Sequence, residues 1–337
     1  MKRRIEIPSL EAGQVLVKVA GCGVCHTDVA FWKGEVSPAC SPPLTLGHEI
    51  SGVVAAAPGN EHLLESEVIV PAVLPCGHCD LCRTGHGMAC RRRSMLGNHT
   101  DGGFASHVVT STRFLCPVNA TNNGHPLWQL GVIADAVATP FNALQRANVS
   151  EGDTVIVIGV GGLGIYGVQI AAALGATVLA IDIDASRLQI VRRHGADDTL
   201  HSAAMSAKEI REAVAAKVEA LGQPPHRWKV FEMSGTGKGQ AVAFELLTYA
   251  GTIGIIGFTL EKNTVRLGRL MAFDAAMFGI WGCHPEYYPE ALDMVLDGRV
   301  QIDPFIEQFE LDDINDVFPK LVARELQARP VMIPAHN

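Results

Sequence analysis

Residues Thr154 to Asp184 read TVIVIGVGGLGIYGVQIAAALGATVLAIDID: an apolar run, a glycine cluster, an alanine-rich helical pattern, and a second apolar run closed by acids. The order spells strand, tight turn, helix, strand. Val155 to Ile158 is β-branched throughout, as a parallel strand covered on both faces should be. Gly159, Gly161 and Gly164 fit G-x-G-x-x-G, with Gly162 and Leu163 inside the pattern. One glycine serves the turn, one lets the backbone approach a pyrophosphate, and one allows close packing of helix on strand. The pyrophosphate would rest on the helix N-terminus, where free N–H groups and the dipole favour negative charge. Asp182 ends the second strand about 20 residues further on, where a carboxylate takes the adenosine ribose hydroxyls. Because that carboxylate would repel a 2′-phosphate, the expected cofactor is NAD rather than NADP.

Val155 to Ile181 is free of charged residues over a length that would also span a bilayer. The glycines clustered at one turn, and flanking acids (Glu151, Asp153, Asp182, Asp184) in place of lysines, argue against a membrane helix. Downstream, apolar runs at Trp228 to Met233 and Thr252 to Ile256 continue the alternation of helix and strand, which predicts a doubly wound parallel sheet. Upstream, Gln14 to Ala20 and Ser51 to Ala57 read as strands, and short strands with turn signals continue to about Val118, so a β-rich domain is expected there. After Gly282 a helix is predicted at Tyr288 to Leu296, and the chain then rejoins the first domain. The predicted division is 137–282 for the nucleotide domain, with 1–136 and 283–337 forming the other.

At 337 residues the chain has room for about two domains, and 48% hydrophobic with 18% charged residues marks an ordinary globular protein. A formal net charge of −8 argues against general affinity for nucleic acid, with local basic clusters left open. The N-terminal MKRRIEIPSLEAG has a basic start but no apolar core, so it is not a signal peptide. Nine cysteines, several in C-x-x-C spacing and none accompanied by an export signal, point to metal ligation in a reducing cytoplasm.

Cys76, Cys79, Cys82 and Cys90 give C-x2-C-x2-C-x7-C, four soft ligands in one short loop that suit a closed tetrahedral zinc. The same ligands would also hold an iron-sulfur cluster. Cys22-Gly-Val-Cys25-His26 matches the c-type haem attachment pattern, which needs export, and a thioredoxin-like pair, which needs a helix start in a βαβ setting. Neither context is expected here. The remaining reading is an open zinc site from Cys25, His48 and a distant third ligand, with Glu49 alongside; Asp135, just before the nucleotide domain, is the best-placed candidate.

Five ordered motifs carry a resemblance: GVCHTD at Gly23 to Asp28, GHE at Gly47 to Glu49, the four-cysteine loop, GVGGLG at Gly159 to Gly164, and the acid at Asp182. Together they resemble the zinc-dependent medium-chain dehydrogenases of the alcohol dehydrogenase superfamily. The resemblance implies a Rossmann nucleotide domain plus a β-rich GroES-like catalytic domain with a structural zinc lobe at about 75–93. It implies that Cys25, His48 and Asp135 hold catalytic zinc, with Glu49 as a close or exchanging ligand, and that Thr27 takes the substrate proton. It places His26 near the pyrophosphate, Arg187 by the adenosine ribose, and Gly257 and Phe258 toward the nicotinamide. Two zinc ions per subunit and a homodimer or homotetramer follow from the same resemblance. Many family members carry a histidine where this chain has Ala30, which leaves the proton relay beyond Thr27 open.

Three segments further resemble the 6-hydroxycyclohex-1-ene-1-carbonyl-CoA dehydrogenases of anaerobic benzoyl-CoA degradation: VIVPAVLPCGHCDLC at Val68 to Cys82, GGFASH at Gly102 to His107, and Leu270 to Gln301. That resemblance implies an acyl-CoA thioester as substrate. Arg91, Arg92 and Arg93 are the basic run that would meet its phosphates, although such a run is also an ordinary solvated face. Trp32, Ala72 and Val73 align with pocket-lining positions of the family. Two other readings are a dehydrogenase of a free alcohol or polyol, and a zinc-stabilised nucleotide-binding protein without turnover.

Overall fold

The computed structural model describes residues 3–118 and 124–336, so the first two residues of the basic N-terminal start lie outside it. The chain forms two compact units, Met1–Ala138 with Gly282–Asn337, and Thr139–Trp281. In the first unit the strands are β1 (Gln14–Gly23), β2 (Glu49–Ala56), β3 (Glu67–Val70), β4 (Val73–Leu74), β5 (Ser94–Met95), β6 (His107–Ser111) and β7 (Cys116–Pro117). The second unit contributes β8 (Thr154–Ile158), β9 (Thr177–Asp182), β10 (Asp198–His201), β11 (Lys229–Glu232), β12 (Thr252–Ile255) and β13 (Ala276–Gly279). The chain returns to the first unit with β14 (Ile306–Glu310) and β15 (Arg329–Ile333).

In the second unit the sheet order is β10-β9-β8-β11-β12-β13, with every pairing parallel. The first strand is central and the order reverses beside it, which leaves a crevice at its carboxyl end. All five residues of β8 are buried, as its uninterrupted apolar run requires. The run that might have crossed a membrane is therefore strand, turn, helix and strand, and no helix among the described residues is long and apolar enough to cross one.

The first unit is organised around β1. One edge pairs with β2; the other is shared between β6, along Gln14–Lys18, and β15, at Cys22 and Gly23. Val15, Val17 and Val19 point into a fully buried core with Ile50, Val54, Val68 and Val70, the alternation that the β1 sequence displays. All nine cysteines are free.

Candidate active site

Antiparallel pairing of β1 with β2, with irregularities after Leu16 and Val19, brings Gly23 opposite Glu49. Cys25, just past one partner, and His48, just before the other, therefore leave the ladder at the same end. The 3-10 stretch Leu127–Ala134 crosses these strands at backbone contact distance. A Cβ on Gly21 would lie 2.6 Å from the Trp128 carbonyl oxygen, and one on Gly131 would lie 2.8 Å from that of Glu49. Ser51 Oγ donates to the Leu127 carbonyl at 2.6 Å, which fixes the crossing. The stretch ends at Asp135, with its Oδ2 3.5 Å from Cys25 Sγ and 3.7 Å from His48 Nε2. Ligand atoms of Cys25, His48, Glu49 and Asp135 all lie within 4.8 Å of one another.

Two residues that sequence reasoning left without a role hold this cluster. Asp28, fully buried at the third position of the helix His26–Lys33, accepts the Cys25 N–H at 3.0 Å through Oδ2. Its Oδ1 accepts the Gly47 N–H at 3.0 Å and faces His48 Nδ1 at 3.2 Å. A carboxylate on Nδ1 fixes the ring and turns the Nε2 lone pair toward the cluster. Arg329, from β15, donates through Nη1 to Glu49 Oε1 at 2.7 Å, while Glu49 Oε2 is buried without a hydrogen-bond partner. Burial pushes the Glu49 carboxyl up to about 7 against the opposing pull of Arg329. Asp28 had a detectable signal, an acid three residues past a helix N-cap; Arg329 had none.

Thr27 is half-buried with Oγ1 3.7 Å from Cys25 Sγ, and His26 is exposed beside it. A helix does start at His26 with Cys25 as its N-cap, but not in the βαβ setting that a thioredoxin-like pair needs. The setting is an antiparallel sheet rather than βαβ, and Cys22 is buried in the core against Gly47 and Gly103.

The four-cysteine loop converges locally. Sγ separations are 3.9 Å for Cys76 to Cys82, 3.4 Å for Cys79 to Cys82 and 3.7 Å for Cys79 to Cys90. Backbone N–H groups of Cys76, Gly77 and Arg92 donate to its sulfurs, and amides favour thiolate charge. Hydrogen bonding from the loop backbone holds Cys76 down to about 5. A four-sulfur cage with no other donor suits a closed structural ion.

In the second unit, Gly159 adopts φ 83° at the end of β8, and a Cβ there would meet the Ser234 backbone at 2.5 Å. Gly164 opens the helix Gly164–Ala173 after Leu163, and a Cβ on it would collide with the Gly159 carbonyl. Gly161 is open apart from the Arg187 guanidinium, 3.2 Å from where a Cβ would stand. Asp182 Oδ2 accepts the Val160 N–H at 2.7 Å and Oδ1 the Asp184 N–H at 2.9 Å, so the acid braces the glycine turn from the end of β9. The Gly257 N–H bonds to the Glu232 carbonyl, and Phe258 beyond it is exposed.

The other expected substrate contacts are scattered. Trp32 is about half exposed and edges onto Phe318 at 5.6 Å. Ala72 and Val73 are buried in a small apolar cluster with Met95 and Met88. Arg91 and Arg92 are exposed, whereas Arg93 folds back to donate to the Cys90 carbonyl at 3.1 Å.

Comparison with known proteins matches residues 11–120 to the family described as alcohol dehydrogenase GroES-like domain and residues 162–297 to zinc-binding dehydrogenase. An alcohol dehydrogenase of Geobacillus stearothermophilus is 29% identical, with 98% of this chain and 95% of that protein covered. A D-arabinose 1-dehydrogenase (NADP(+)) of Saccharolobus solfataricus is also 29% identical, with 98% and 93% covered. The crystal structure of galactitol-1-phosphate dehydrogenase from Escherichia coli shares the fold with a TM-score of 0.88 at 23% identity, covering 98% of this chain and 96% of that one. Two family matches in tandem, on a chain that gathers two groups of side chains able to hold a metal ion, settle its kinship: it belongs to the zinc-dependent medium-chain alcohol dehydrogenase superfamily.

Proposed function

We propose that this chain oxidises a secondary alcohol to a ketone with NAD, using a catalytic zinc held by Cys25, His48 and Asp135 with Glu49 as a close or exchanging ligand. The convergence of those four groups within 4.8 Å carries the reading. A thiolate, an imidazole oriented by Asp28 and a carboxylate suit zinc with one position left for substrate. The unpartnered Glu49 Oε2 is the kind of buried donor that a cation satisfies. A second, structural zinc fits the four-cysteine cage.

Bound zinc supplies Lewis-acid polarisation of the alcohol oxygen, and NAD is the hydride acceptor. The protein's own part is to orient and to move the proton. Thr27, close to Cys25, accepts the hydroxyl proton through Oγ1 as it releases its own proton onward. Ala30 offers no continuation, so the proton leaves by another route. Asp182 takes the adenosine ribose hydroxyls with its remaining lone pairs, and Arg187, beside Gly161, stands by the same ribose. The carboxylate at Asp182 favours NAD, whereas a relative named for NADP(+) makes the choice an assay question.

For the substrate, the resemblance of Leu270 to Gln301 supports 6-hydroxycyclohex-1-ene-1-carbonyl-CoA, whose allylic alcohol would yield a conjugated ketone. The exposed Arg91 and Arg92 then meet the CoA phosphates. The second reading, a free alcohol or polyol, is favoured by what the relatives' names state they act on. NADH or NADPH production from a panel of hydroxyacyl-CoA esters and free alcohols, with and without chelator, decides between them. Turnover of free alcohols alone removes the CoA reading, and turnover insensitive to chelator removes the zinc.

A cytoplasmic homodimer or homotetramer completes the proposal. Strand β13 is the outer edge of its sheet, and it and the helix before it expose Met277, Leu267 and Met271. An unpaired apolar edge is a ready surface for a second copy.

A further inference from the structure

We propose that Tyr288 is a positioning residue for the open cluster, its hydroxyl clamping the segment that carries Asp135 to the backbone at Ala72. The ring is fully buried at the start of the helix Tyr288–Leu296. Its hydroxyl donates to the Ala134 carbonyl at 2.5 Å and accepts the Ala72 N–H at 3.1 Å. One phenol thus joins three segments that are far apart in the chain.

The position of the bond is what gives it a functional meaning. Ala134 is the last residue of the 3-10 stretch, whose terminal carbonyls lack helical partners, and the next residue is Asp135 at φ −136°, ψ −56°. The donor therefore grips the peptide that aims the third ligand. Ala72 leads through β4 toward Cys76, so the other end of the clamp is anchored on the segment entering the four-cysteine loop. Phenylalanine would fill the same space and leave a buried carbonyl and a buried N–H without a partner, a cost concentrated beside the ligand. Groups one step behind metal ligands set ligand orientation, and losing one weakens metal binding by about 10–100-fold.

The inference rests on Asp135 being a ligand of the catalytic ion, and the experiment separates the two. Tyr288→Phe and Asp135→Asn are prepared in the full chain, with both sites loaded with cobalt. The visible absorption of the open site and the release of each metal equivalent to 1,10-phenanthroline are then followed. Tyr288→Phe is expected to shift the open-site band and speed release of that equivalent by about 10–100-fold, leaving the four-cysteine site at its wild-type rate. Equal acceleration at both sites, or no change at either, overturns the positioning role. If Asp135→Asn itself leaves the open-site band unaltered, the ligand assignment fails and the inference falls with it. If only Tyr288→Phe is silent, the inference alone fails. Should the phenylalanine variant not fold, amide exchange on the unmodified chain supplies the test. The Ala72 N–H, which binds no metal, is expected to exchange at least tenfold more slowly when the open site is filled; equal exchange overturns the clamp.

Discussion

The two cysteine-bearing clusters are built on opposite plans. The closed one draws all its donors from Cys76 to Cys90, so a short loop needs only its own turns and amides to assemble it. The open one takes Cys25 from a helix N-cap, His48 and Glu49 from the start of β2, and Asp135 from the end of a 3-10 stretch, then braces them with Asp28 and Arg329. A local cage of four like donors leaves no place for a reactant and contributes fold stability. Mixed donors gathered from distant elements leave a position free, and their geometry depends on every element that delivers them.

Substitutions at the two clusters should separate chemistry from stability. Cys25→Ser is expected to reduce turnover by about three orders of magnitude or more, the scale of losing several kcal/mol of Lewis-acid stabilisation. It should retain one metal equivalent and a thermal midpoint near wild type. Cys79→Ser should lose the other equivalent and lower the midpoint; metal analysis with calorimetry checks both, and matching profiles for the two variants would erase the contrast. Next in size, Thr27→Val should cut kcat by roughly two orders of magnitude with both metals in place, as removal of a positioned proton acceptor does. Near-normal kcat would place deprotonation elsewhere.

Smaller effects sharpen the same contrast. Asp28→Asn should weaken metal binding at the open site by about 10–100-fold in chelator competition and leave the cysteine cage unaffected. An equal change at both sites would count against the division of labour. The smallest effect lies outside both clusters. Burial raises the Asp198 carboxyl, but Lys217 at 2.7 Å and the Thr199 N–H outweigh it and hold it below the ordinary range. A carboxyl depressed in the folded state stabilises above its unfolded value of about 3.9 and loses that contribution as pH falls through the folded one. Asp198→Asn should therefore cost on the order of 1 kcal/mol at neutral pH, and the gap should shrink as pH falls below the ordinary carboxylate range in urea titrations. A gap independent of pH would refute the assignment.

Legibility followed locality. The glycine fingerprint and the cysteine loop could be read because each is one contiguous segment whose spacing is the geometry. Cys25 and His48 could be read as residue types, but only the Gly23 to Glu49 register brings them together. Asp28 lay inside a quoted motif without a role, because a carboxylate that supports a ligand has the same spacing as one that caps a helix. Arg329 and Tyr288 gave no sign, since a lone arginine in a strand or a tyrosine at a helix start has no periodicity that points across the chain. Two strands of the nucleotide sheet also escaped. β10 is four largely polar residues, and β13, AMFG, is apolar but lacks the β-branched residues that marked β8 and lies exposed at the sheet edge.

Strand β15 pairs with β1 at Cys22 and Gly23, the Val24 N–H bonds to Pro330, and Arg329 backs Glu49. The donors of the cysteine cage are therefore complete by Cys90, whereas the support of Glu49 waits for a residue near the other end of the chain. A truncation ahead of Arg329 would remove that support and leave the cage's donors in place, so the two clusters differ in how much of the sequence each needs.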